Sequence, residues 1–178
     1  MERLQSPKRR LPALVAAAAI GVAAIGGALA FGIGGSGDGL SARDAAARAA
    51  NFPDAIALPL VTAAERDEAL DTMALPPEQK AVLLREVENG DTRLAWLSIW
   101  DDRDEDGDAV TVRSGGFSVQ LDLYNAPARI GVPIGGEGLT ITGVRDGQGG
   151  ITAGIQADGG PVLTPVLRPG QSIAVGWK

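Results

Sequence analysis

The chain has 178 residues and a formal net charge of −6, with no histidine and no cysteine. Those absences exclude disulfides, thiol nucleophiles, a lipoprotein attachment cysteine, Ser-His or Cys-His catalysis and any imidazole or thiolate metal site. The first ten residues hold four of the 16 basic residues and one of the 22 acidic ones, leaving 12 against 21, a net of −9, for the rest. An acidic body of this kind lacks the clustered Lys and Arg that a nucleic-acid partner requires.

Residues 1–10 form a basic tail with Arg3, Lys8, Arg9 and Arg10. Arg9-Arg10 is not followed by the residues of a twin-arginine signal. Residues 11–35, LPALVAAAAIGVAAIGGALAFGIGG, carry no charge. A helix of about 20 apolar residues crosses a bilayer. Pro12 is tolerated in the first helical turn. Basic residues precede the stretch and the first charge after it is Asp38. The positive-inside rule then predicts a single-pass inner-membrane protein with a cytoplasmic N-terminus and an exported C-terminal body, periplasmic or extracellular. Ala28-Leu29-Ala30 also fits a signal-peptidase site. Phe31-Gly32-Ile33 prolongs the apolar run past that cut, which favours an uncleaved signal anchor. Both readings export the body. The spacings Ala17/Gly21 and Ala23/Gly27 provide a small-residue face through which two membrane helices could form a homodimer.

Residues 36–91 read as a linker and a short helical neck. GGSGDG at 34–39 is flexible by composition. SARDAAARAAN follows, with Ser41 as N-cap. Pro53 and Pro59 make NFPDAIALPLV extended or irregular. TAAERDEALDTM opens with Thr62 and has Glu65 three residues on, a capping box. PPEQKAVLLREVENG starts at a proline pair and stops at Gly90, with Val82, Leu83, Val87 and Leu84 on one side.

From residue 92 to 178 the period changes to alternation. TRLAWLSIW, AVTVRSG, GFSVQLDLY, ARIGVPI, LTITGV, ITAGIQA, PVLTPVL and SIAVGW are separated by Gly- or Pro-rich breaks. Roughly eight short strands at 8–12-residue spacing predict a mainly β fold, an antiparallel β-sandwich of Ig-like or jelly-roll-like type. Gly115-Gly116 and Asp146-Gly147 are expected to supply the positive φ of hairpin turns, and the strand ending at Trp177 is expected to dock in the sheet. The segments Asp106 to Val112 (DGDAVTV) and Gly143 to Thr152 (GVRDGQGGIT) resemble a pattern, DGDxVxV followed by GVxDGxGGIT, in exported, membrane-anchored β-sandwich domains of bacteria. The resemblance covers about half the chain and implies no activity. The Ala, Gly, Arg and Asp content is that of a bacterial protein from a GC-rich genome.

Residues 100–108, WDDRDEDGD, concentrate negative charge between two strands. Asp102, Asp104, Asp106 and Gly107 match the D-x-D-x-D-G opening of a calcium loop, and Asp108 could add a ligand. An EF-hand needs a Glu at loop position 12, where Arg113 stands, and helical flanks, where strands are predicted. Two readings stay open: a calcium loop of another kind in a β domain, with Asp102, Asp104, Asp106 and Asp108 as ligands, or a solvated hairpin loop whose aspartates cap turns and protect a sheet edge. No other cofactor is indicated.

Trp96 and Trp100 share strand parity and would form a sugar-stacking platform if exposed; packing is the expected role. Asp101, Asp102 and Glu105 in a flexible run show no defined separation for glycoside hydrolysis. DGQGG at 146–150 leads into a strand, so it is no phosphate cradle. The expected function is a non-catalytic binding or scaffolding role in the cell envelope, with an envelope protein or glycan as partner. The alternatives are a calcium-dependent module for a ligand such as carbohydrate and a carboxylate-only hydrolase.

Overall fold

The computed structural model of the protein describes residues 40–136 and 138–178. The expected tail, membrane segment, cleavage site and small-residue face lie outside the described residues. No helix among the described residues is long and apolar enough to cross a membrane.

Local signals set the helices. Ser41 caps α1 (Ala42–Asn51), its hydroxyl accepting from the Asp44 N–H at 3.1 Å. The expected capping box forms only in half: the Glu65 carboxylate accepts from the Thr62 N–H at 3.0 Å and from the Thr62 hydroxyl at 2.7 Å, but α2 (Arg66–Thr72) starts later, with Glu65 at its N-cap and no side-chain cap bond. α3 (Pro77–Asn89) ends at Gly90 in the left-handed region. The apolar side of α3 is Leu83, Leu84 and Val87; Val82 is exposed. Between α1 and α2 lies the two-residue strand β1 (Ala55–Ile56).

The strands that follow are β2 (Arg93–Trp100), β3 (Ala109–Ser114), β4 (Phe117–Asp122), β5 (Ala128–Ile134), β6 (Leu139–Arg145), β7 (Gly154–Ala157), β8 (Gly160–Leu163) and β9 (Ser172–Trp177). They build two sheets in the orders β1-β9-β6-β3-β4 and β5-β2-β7-β8. All pairings are antiparallel except β1 with β9. The fold is therefore mainly β, as the alternation predicts, and two sheets over a common core fit a β-sandwich. The β3–β4 hairpin turns at Gly115-Gly116 with φ of 52° and 82°, as a two-residue primed turn requires. Asp146-Gly147 does not make a hairpin. β6 and β7 lie in different sheets, so this stretch is a crossover, and the positive φ values fall on Gly149 and Gly150 instead.

β2 is buried on both sides. Ala95, Leu97 and Ile99 have no exposed surface and are directly opposite Val132, Ile130 and Ala128 of β5. With Val110, Val112 and Ile141 they belong to one apolar cluster. The other face of β2 carries Trp96, opposite Gly131. A side chain at Gly131 would meet the Ala69 carbonyl oxygen at 2.6 Å, so α2 lies directly on this face. Trp96 is 3 % exposed and has the Arg129 guanidinium 3.5 Å from its ring centroid. It is a packing residue, as expected. Trp100 is half-buried and stacks against Gly154. Ile56, Leu58, Leu70, Met73 and Leu83, from the stretch expected as a neck, share the same cluster as the strands.

Candidate metal centre

Two crossovers between the sheets meet at one end of the strands. Residues 101–108 carry the chain from β2 to β3, and residues 146–153 carry it from β6 to β7. These are the segments that hold the two quoted motifs, and they bond to each other. Asp108 accepts the Gly147 N–H on Oδ1 at 3.0 Å and the Thr152 N–H on Oδ2 at 3.1 Å. Asp101 accepts the Thr152 hydroxyl at 3.1 Å and the Arg103 N–H at 3.0 Å, both on Oδ1. Asp106 lies over Gly147, where any side chain would strike its backbone and carboxylate.

One oxygen each from Asp101, Asp106 and Asp108 lies within 4.8 Å of the other two. Asp101 is 2 % exposed and Asp108 1 %. Asp101 Oδ2 and Asp106 Oδ1 are buried without a hydrogen-bond partner. Such orphaned acceptors are costly, because desolvation is not repaid by a donor. Like charges at this separation repel by on the order of 3 kcal/mol per pair at the effective dielectric of a protein. Burial, first, raises the Asp101 carboxyl above its usual value, with Asp106 and Asp102 adding to the rise. Burial likewise pushes Asp108 from 3.8 to about 6, against the two N–H groups that bond its charged form and with help from Asp106 and Asp101. The cluster therefore calls for a proton or a cation. Its donors are all carboxylate oxygens, which suits a hard cation such as Ca²⁺ and not the softer transition metals. A pocket of about 120 Å³ opens beside it, lined in part by Arg103, Asp104, Gln148 and Thr152.

The four aspartates expected as ligands are divided. Asp106 and Asp108 converge. Asp104 is exposed and stands on the pocket wall. Asp102 turns to Arg48 of α1, whose Nη1 donates to Oδ1 at 2.9 Å while Nη2 bonds Oδ2. Asp101, which the every-second-residue pattern passes over, is the third member of the cluster. Strand parity carried the signal. Asp101 continues the inward series Leu97, Ile99 at the end of β2, and Asp108 precedes the buried Val110 and Val112 of β3. Glu105 points outward and accepts the Asn125 N–H at 3.2 Å.

No family model, curated protein or solved structure matches this chain.

Proposed function

We propose that the protein is an envelope-anchored β-sandwich, of Ig-like or jelly-roll-like type, whose loop end holds a calcium ion and whose task is binding or scaffolding. The observation that carries the reading is the pair of buried, unpartnered oxygens on Asp101 and Asp106 inside a cluster of three carboxylates. A divalent cation satisfies both oxygens and cancels most of the mutual repulsion. The uncharged stretch 11–35 supports a signal anchor, and with it a body outside the cytoplasm. Sites in extracellular modules work at Kd values of roughly 0.1–1 mM, which matches a site with few ligands. An envelope protein or glycan is the partner of such a module.

The test is thermal unfolding of the full chain in detergent, with calcium, magnesium or chelator. At a calcium concentration about 100 times Kd the gain is about 2.7 kcal/mol, or a rise of roughly 5–10 °C in Tm. Asp101→Asn and Asp106→Asn each abolish that rise. No shift at about 10 mM calcium, where a site of the expected affinity is largely filled, overturns the reading.

A further inference from the structure

α1 raises a question of attachment. It is ten residues long and has no buried residue. A helix this short is marginal alone even when rich in alanine. Along the helix itself the tie to the body is the ion pair between Arg48 and Asp102, whose side chains are 9 % and 8 % exposed, and at its C-cap Phe52 packs on the core. The five other ion pairs among the described residues leave every side chain at least 31 % exposed. Beneath α1 is a cleft of about 560 Å³ lined by Ala47, Arg48, Arg103 and Val162, so apolar packing contributes little to the docking. Leu40, just ahead of the helix, lines the same pocket as Asp106 and Asp108. A buried ion pair is weak as a stabiliser, and its best-attested use is to set a register or a switch.

Asp102 sits in the ligand register of the D-x-D-x-D-G loop and is the chain neighbour of Asp101. Both of its oxygens are occupied by Arg48. We infer that Arg48 holds Asp102 out of the metal centre, so that docking of α1 and tight cation binding compete for one carboxylate. This inference rests on the calcium reading above. Two physical effects act in the same direction. Release of Arg48 frees a fourth carboxylate for the cation, and it removes a positive charge from beside the site. Linkage makes the coupling reciprocal: whatever α1 docking takes from calcium affinity, calcium takes from α1 docking. The docked helix sets a low-affinity state and the released helix a high-affinity one. The cluster is a candidate site without this coupling, because Asp101 is buried with an unpartnered oxygen and a carboxylate oxygen within 4.8 Å of those of Asp106 and Asp108.

The experiment is calcium titration by calorimetry on the full chain in detergent, with hydrogen exchange read over Ala42–Asn51. Arg48→Gln is expected to bind calcium roughly five- to tenfold more tightly than the parent. The double variant Arg48→Gln with Asp102→Asn returns to the parent affinity, since the freed ligand is gone. In the parent, exchange over α1 speeds up as calcium is added. Unchanged affinity in Arg48→Gln, or protection of α1 by calcium, overturns the competition while leaving the metal centre in place. No calcium heat in any variant, with all of them folded by circular dichroism, overturns the metal centre itself.

Discussion

The three clustered aspartates make opposite predictions with and without a cation. In chelator, Asp106→Asn removes one member of a repelling trio and is expected to raise stability, by up to about 3 kcal/mol for each pair relieved. In excess calcium the same change removes a ligand and lowers stability below the parent. Denaturant midpoints measured in both conditions check the sign reversal. pH acts through Asp108, whose folded-state pKa is raised to about 6 by burial. Between the unfolded carboxylate value, about 4, and that raised value the folded chain holds a proton the unfolded chain has released. Stability in chelator therefore falls as pH rises from about 4 to about 6. Calcium must displace the proton, so its affinity weakens as pH drops below about 6. Melting curves across this range, compared with Asp108→Asn, read both slopes. At this scale the sequence was half legible. The acidic run marked a candidate cation loop, and two of its four aspartates, Asp106 and Asp108, belong to the cluster of three carboxylates. Asp101 was masked because the motif counts every second residue along a loop, whereas burial here follows the parity of the flanking strands. The pairing of Asp102 could not be read locally: its partner, Arg48, is 54 residues away.

Capping and alternation are local, and elements defined by them were read well. Ser41 and the Gly90 stop both act within a few residues of where they stand, whereas α2 starts three residues later than the Thr62 signal predicts. On α3 the stripe was read one residue too wide. Leu83→Ala should cost about 2–4 kcal/mol and Val82→Ser under 0.5, since only the first is buried. Equilibrium unfolding of the two variants separates them. Gly131 escaped notice, because nothing in ARIGVPI tells that a helix will lie upon it. Gly131→Ala drives a methyl group into the Ala69 carbonyl and is expected to cost about 1–3 kcal/mol, read as a lower denaturant midpoint. Alternation tells which way a side chain faces. It does not tell which sheet a strand joins, and so the stretch at Asp146-Gly147 was taken for a hairpin when it is a crossover. β1 carries no periodic signal at all over two residues, and its parallel partner lies about 120 residues away in the sequence.

Across the whole molecule, the acidic body and the basic first ten residues are separated by the uncharged stretch 11–35. Fractionation of cells producing the full chain is expected to place it with the inner membrane. Protease added to intact spheroplasts is expected to remove the body, and a soluble, protected product would sink the topology. The order of synthesis against the order in space has a further consequence. β9 is the latest made of the nine strands among the described residues, yet it lies between β1 and β6 and hydrogen-bonds to both. One sheet therefore stays open until Ser172–Trp177 has been delivered. Pairing over such sequence separation is slow as well as late. Until then β1 has no partner in this sheet, so its seam is the last to be sewn, after the β3–β4–β6 pairs, which need only residues 109–145.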